Sequence, residues 1–144
     1  MNVTYKEALD RHDVSIPDHL EAQAAIPVLS GPQAQGDVLV TPMRPGKTAG
    51  ETVDVPRSGI QVVRGEATAN THWLDNANPD GPPCRWTAKT ASPTDPTLGV
   101  LVVPEGQTAL LTHTDEHGSN GIAPGCYRIG RQVEFADELR LVQD

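Results

Sequence analysis

From residue 36 onward, apolar residues gather in short strand-like runs, several of them alternating with polar ones. Asp37–Thr41 reads DVLVT before Pro42, Ile60–Arg64 reads IQVVR, and Thr68–Leu74 reads TANTHWL. Cys84–Thr87, Leu98–Val103 and Thr108–Thr112 continue the series, and Gly125–Phe135 closes it with apolar residues on alternate positions. A period of two places successive side chains on opposite faces of a strand. Leu98–Val103 is the most apolar run and the expected central strand. Pro45–Val55, the segment from Asp75 to Pro83 around Asn78-Pro79-Asp80-Gly81, and Gly118–Pro124 are expected loops, because their glycines, prolines and asparagines favour turns. The tail Asp137–Val142 fits a short helix or a strand. The pattern predicts a mainly β fold, a small antiparallel barrel or sandwich of about seven short strands.

The first 35 residues follow a different rhythm. Thr4-Tyr5-Lys6-Glu7 is a capping box, with a hydroxyl at the N-cap and a carboxylate three residues on, and it opens a short helix to about His12. Ser15-Ile16-Pro17 marks a second start, with Pro17 at an early helical position and the helix running to about Ala25. Ile26-Pro27 ends it, since a residue before proline avoids the helical region. Neither helix is long enough to be stable alone, so both must pack on the body or on a neighbouring subunit. The expected organisation is an N-terminal helical arm over 1–35 and a β-rich domain over 36–144.

Composition narrows the function classes. The 144 residues include 13 Gly, 13 Pro, one Phe, two Tyr and two Trp, so Val, Leu, Ile and Ala must form most of the core. Nineteen acidic residues against 11 basic ones give a net charge of −8. Phosphate recognition needs clustered Lys and Arg, which are missing here, so nucleic acid and anionic membrane surfaces are not expected partners. Protein, through self-association or a larger assembly, is. MNVTYKEALDRHD lacks the apolar stretch of a signal peptide, and no 18-residue apolar run occurs, so cytoplasmic synthesis is expected. Cys84 and Cys126 stand far apart, without metal-type spacing, and read as two thiols unless the destination is oxidising.

Candidate chemistry centres on histidine. His72 ends the segment Gly65–His72, while His113 and His117 flank Thr114-Asp115-Glu116. If the two segments are neighbouring strands, the three imidazoles converge, with Glu66 or Glu116 beside them, as a site for zinc, iron or manganese. His113 to His117 also spells H-x-x-E-H, but that zinc-peptidase pattern needs a helix, and here it runs from a strand into Gly118-Ser119-Asn120-Gly121. The same residues also suit a purely structural role, His113 and His117 bonding a turn and His72 capping a strand beside Trp73. Asp115 and Glu116 with Glu134, Asp137 and Glu138 read as solvated carboxylates. Neither cysteine has an activating neighbour, Ser58 and Ser119 lie in loops, and Gly46-Lys47-Thr48 is only the end of a phosphate-loop motif with no helix after it.

Four blocks resemble an uncharacterised bacterial and phage family: G-D-V-L-V-T-P at Gly36–Pro42, G-E-A-T-x-x-x-H at Gly65–His72, L-T-H-x-x-E-H-G at Leu111–Gly118, and P-G-x-Y-R-I-x-R-Q-x-E at Pro124–Glu134. In that pattern a histidine usually stands where this chain has Asn70. The resemblance implies a phage context and carries no assigned activity. Together these features lead to the expectation of a non-enzymatic assembly or binding module, such as a phage virion structural protein (a capsid decoration or minor capsid component), with residues 1–35 as an arm on a neighbouring subunit. The alternative is a small metal-binding, cupin-like β-barrel, an enzyme or ligand sensor using His72, His113 and His117.

Overall fold

Alternation along the chain becomes burial on one face of several strands. In the computed structural model, which describes residues 3–12, 26–35, 38–46, 50–64, 71–89, 95–113, 118–131, 133–135 and 139–141, two sheets face each other as a sandwich without closing into a barrel. The strands are β1 (Val28–Leu29), β2 (Gln33–Gln35), β3 (Val38–Pro42), β4 (Thr52–Asp54), β5 (Ile60–Arg64), β6 (Thr71–Asn76), β7 (Arg85–Ala88), β8 (Thr97–Val103), β9 (Ala109–His113), β10 (Gly118–Ile122), β11 (Gly125–Arg131), β12 (Val133–Phe135) and β13 (Leu139–Leu141). The front sheet has the order β1-β10-β9-β6-β5 and the back sheet β2-β3-β11-β8-β7-β4. Every pairing is antiparallel except that of β1 with β10. Among the described residues, β12 and β13 pair only with each other.

The expected central strand is β8, between β11 and β7, and its Leu101 and Val103 point inward. They meet Val38, Val40, Trp86, Tyr127 and Ile129 from the back sheet, and Leu74, Leu111 and Ile122 from the front. Gly99 on the same strand leaves room for the Trp86 ring: a Cβ there would lie 2.5 Å from both the ring and the Thr87 carbonyl. The single buried tyrosine keeps its polar end satisfied, the Tyr127 hydroxyl donating to the Ala123 carbonyl at 2.7 Å.

A second, smaller core lies outside the front sheet. The single described helix, α1 (Tyr5–Asp10), begins at Thr4, whose hydroxyl accepts from the Glu7 N–H at 3.2 Å, as the capping box predicts. Its Ala8 is buried with Val3 and Ile26 against Ala77 and Leu110, on the face of the sheet away from the main core. The second expected helix, over residues 15–25, lies outside the described residues.

Four expectations need correction. Pro45–Val55 contains strand β4, held to β7 by the Thr52 and Thr87 hydroxyls 2.6 Å apart and by Asp54 opposite Arg85. Gly118–Pro124 contains β10, although its sequence GSNGI has the composition of a loop. Gly121 is selected by close approach, since a Cβ there would lie 2.7 Å from the Pro27 carbonyl, while a Cβ on Gly118 would lie 2.8 Å from the movable tip of the Gln35 side chain. β6 runs through Asp75 and Asn76, where a loop is expected, because both side chains are buried by partners distant in sequence. The strand count rises from about seven to 11 in the two sheets, because β1, β2 and β4 are two or three residues long and carry no periodic signal, and β10 has the composition of a loop.

Two measurements test this packing. Gly99→Ala is expected to cost about 1–3 kcal/mol in urea unfolding, since the new methyl displaces Trp86. Cys84 is buried, and burial pushes its thiol up from 9.0 to about 12. Because the folded value is raised, this group's contribution is full below pH 9 and is lost as pH rises towards about 12. Alkaline titration of stability is expected to fall across that window less steeply in Cys84→Ala, and alkylation at pH 8 is expected to leave Cys84 unmodified until the chain unfolds.

Candidate functional site

β6 and β9 are neighbours, and their register sets His72 directly opposite His113. Both lie on the inner face of the front sheet, in line with Leu74, Ala109 and Leu111 of the main core. The rings stack with centroids 4.1 Å apart and planes 6° from parallel, and their exposures are 0% and 1%. His72 Nε2 lies 2.9 Å from the Gln35 carbonyl. A carbonyl only accepts, so Nε2 carries the proton, and the bond ties the inside of the front sheet to β2 of the back sheet.

Of the four residues expected to gather, the fold thus brings His72 and His113 together. Glu116 and His117 lie outside the described residues, as does Glu66. The stacked geometry also bears on ligation. A histidine binds a metal through an in-plane lone pair at about 2.0–2.1 Å. Nearly parallel planes about 4 Å apart share no such point, so joint ligation by this pair requires one ring to turn. Among the described residues no three histidine, cysteine or carboxylate side chains form a metal-binding group.

A second histidine site was not legible in the sequence. His12, just past α1, reaches Asp75 of β6 with Nε2 2.6 Å from Oδ2, and the two side chains are only 5% and 3% exposed. The His12 ring stacks on Trp73 at 4.4 Å, and the preceding residue adds two bonds: Arg11 donates to the carbonyls of Asn76 and Ala77 at 2.9 and 3.0 Å. Trp73 and Asp75 are two apart on β6, so both project to the outer face. Sixty-three positions separate His12 from Asp75, and no local spacing links them. The nearest signal was a charged residue, Asp75, immediately after the apolar end of a strand.

The outer face of the back sheet offers a different surface. Met43 donates its backbone N–H to the Cys126 carbonyl, Cys126 pairs across to Val102, and Val102 pairs to Arg85. Met43 and Val102 are each 40% exposed, and Leu39 lies on the same sheet at 38%. A cavity of about 210 Å³ beside this row is lined by Pro45, Gly46, Thr52, Arg85, Val100 and Cys126. Burial raises the Cys126 thiol above its usual range, which suits a protonated side chain rather than a nucleophile. No described helix is long and apolar enough to cross a membrane.

Comparison with known proteins matches this chain to one family, described as a domain of unknown function (DUF8820), over residues 34–132. The chain belongs to that family. No curated protein and no solved structure matches it. The matched region takes in His72, His113 and nearly all of both sheets, and leaves out α1 and β1.

Asp75→Ala is expected to destabilise the chain by about 1–3 kcal/mol, because it leaves the buried His12 nitrogen without its acceptor. The same substitution should shift the Trp73 fluorescence, since the stacked ring loses its anchor. Unchanged emission and an unchanged urea midpoint would remove the pairing from the description of the fold.

Proposed function

We propose that this family member is a non-enzymatic assembly module that docks on other protein subunits, and that its setting is a phage virion, as a capsid decoration or minor capsid component. The observation that carries the reading is the row Met43–Cys126–Val102 with Leu39, apolar and partly exposed on a single sheet face. Scattered exposed apolar residues are ordinary, whereas apolar neighbours on one face mark an interaction surface. The charge of −8 favours a neutral or basic protein partner over nucleic acid. The phage setting rests on the resemblance of the four sequence blocks.

A second reading is supported by the adjacency of His72 and His113. In a cupin-like metal site these two would be joined by His117 and Glu116 around zinc, iron or manganese. That reading requires about one metal per chain in protein purified without chelator or His tag, and its loss in His113→Ala without unfolding.

The assembly reading is tested on the full chain by sedimentation over a range of concentrations. The wild type is expected to associate, and Val102→Asp to weaken that association while leaving the thermal midpoint within a few degrees, since Val102 points outward. A wild type that stays monomeric at every concentration would defeat the reading.

A further inference from the structure

We propose that the outer face of the back sheet docks on the acidic surface of a second copy of this chain, in a head-to-tail contact that Arg85 and Arg128 select over back-to-back pairing. The inference rests on the assembly reading, and it names the partner and the order of docking.

This face is locally basic on an acidic protein. Among the described strand residues on its outer side, three are charged: Arg128 of β11, Arg85 of β7 and Asp54 of β4. The whole chain has 19 acidic residues against 11 basic ones, so its excess of acid lies elsewhere on the molecule. Arg85 and Asp54 approach only to 3.6 Å, with side chains 58% and 66% exposed, and that separation is too long for a hydrogen bond. The exposed Arg128 side chain makes no ion pair or hydrogen bond among the described residues. Both guanidinium groups therefore keep donors for a carboxylate from outside the chain.

The sheet sets what these donors can reach. Arg85 stands opposite Val102, and Arg128 opposite Val100, on the two sides of β8. Two strand spacings and an offset of two residues put their Cα atoms about 12 Å apart. The cavity of about 210 Å³ opens between Arg85 and Cys126, with Val100 and Val102 in its wall. A carboxylate that enters there meets a guanidinium beside apolar side chains, where the low local dielectric strengthens the bond.

Charge decides which surface of the second copy arrives. Back-to-back pairing would set the four guanidinium groups of two copies against their two Asp54 carboxylates. At least two guanidinium groups would then be desolvated without a partner, and like charges across an interface disfavour it. The acid-rich remainder of a second copy supplies carboxylates instead. Two chains of net charge −8 repel each other at long range, but salt screens that field within about 8 Å, so complementarity at the contact decides. A contact between unlike surfaces leaves each copy with its own face still to offer, which builds a ring or an open chain.

The test follows self-association of the full chain by sedimentation over a range of concentrations. Arg85→Gln/Arg128→Gln is compared with Lys6→Gln/Arg57→Gln, which loses the same charge from exposed positions elsewhere. The thermal midpoint of each variant checks its folding, and the two single arginine variants repeat the comparison. The wild type is expected to form species that grow past the dimer. The arginine double variant is expected to raise the dissociation constant about tenfold over the wild type, the worth of one charge-assisted pair, and the control to stay within about twofold. An arginine variant that associates as tightly as the control, or a wild type that stops at a dimer, overturns head-to-tail docking while the assembly reading survives. A wild type that is monomeric at every concentration overturns both.

Discussion

A buried amide holds the two sheets together at the edge where the chain passes from one to the other. Asn76 ends β6 on the inner face of the front sheet; its Nδ2 donates to the Val55 carbonyl at 2.8 Å, and its Oδ1 accepts from the Cys84 N–H at 2.7 Å. Val55 and Cys84 are themselves joined, backbone to backbone, at 2.8 Å. One side chain thus satisfies two polar backbone groups that burial would otherwise leave unpaired, at a cost of about 1–3 kcal/mol each. Gln107 does the same beside the neighbouring turn, accepting from the Asn78 and Thr108 N–H groups and donating to the Asn78 and Pro82 carbonyls. A chain with so few aromatic residues relies on such bonds to fix how its sheets meet.

The same economy explains where the histidines lie. His72 is another strap between sheets, through the Gln35 carbonyl, and its stack on His113 fills the inner layer where the apolar residues stop. His12 secures the outer layer. These three rings are enclosed by the fold, and among the described residues Met43, Cys126, Val102 and Arg85 form a continuous, partly exposed row on the back sheet.

Layering also separates what the family shares from what surrounds it. Residues 34–132 supply nearly all of both sheets, whereas α1, β1 and the β12–β13 pair fall outside the match. The outer face therefore carries Ala77 and Leu110 within the matched domain, and in this chain residues N-terminal to that domain cover them.

The amino-acid sequence alone determined the mainly β class, the position of β8 as a central strand and the Thr4 cap, while leaving the adjacency of the segments bearing His72 and His113 as a condition that the pairing of β6 with β9 meets. These follow from local rules, a period of two, a hydroxyl at a helix start, and apolar runs between turns, which act over a few residues. Only the tertiary structure decided that GSNGI is a strand, because Gly121 is required by the Pro27 carbonyl packed against it rather than by any local preference. It alone decided that the two histidines stack face to face, because ring orientation follows from packing between strands. It alone joined His12 to Asp75, a pairing made across 63 positions by the docking of a helix too short to stand by itself.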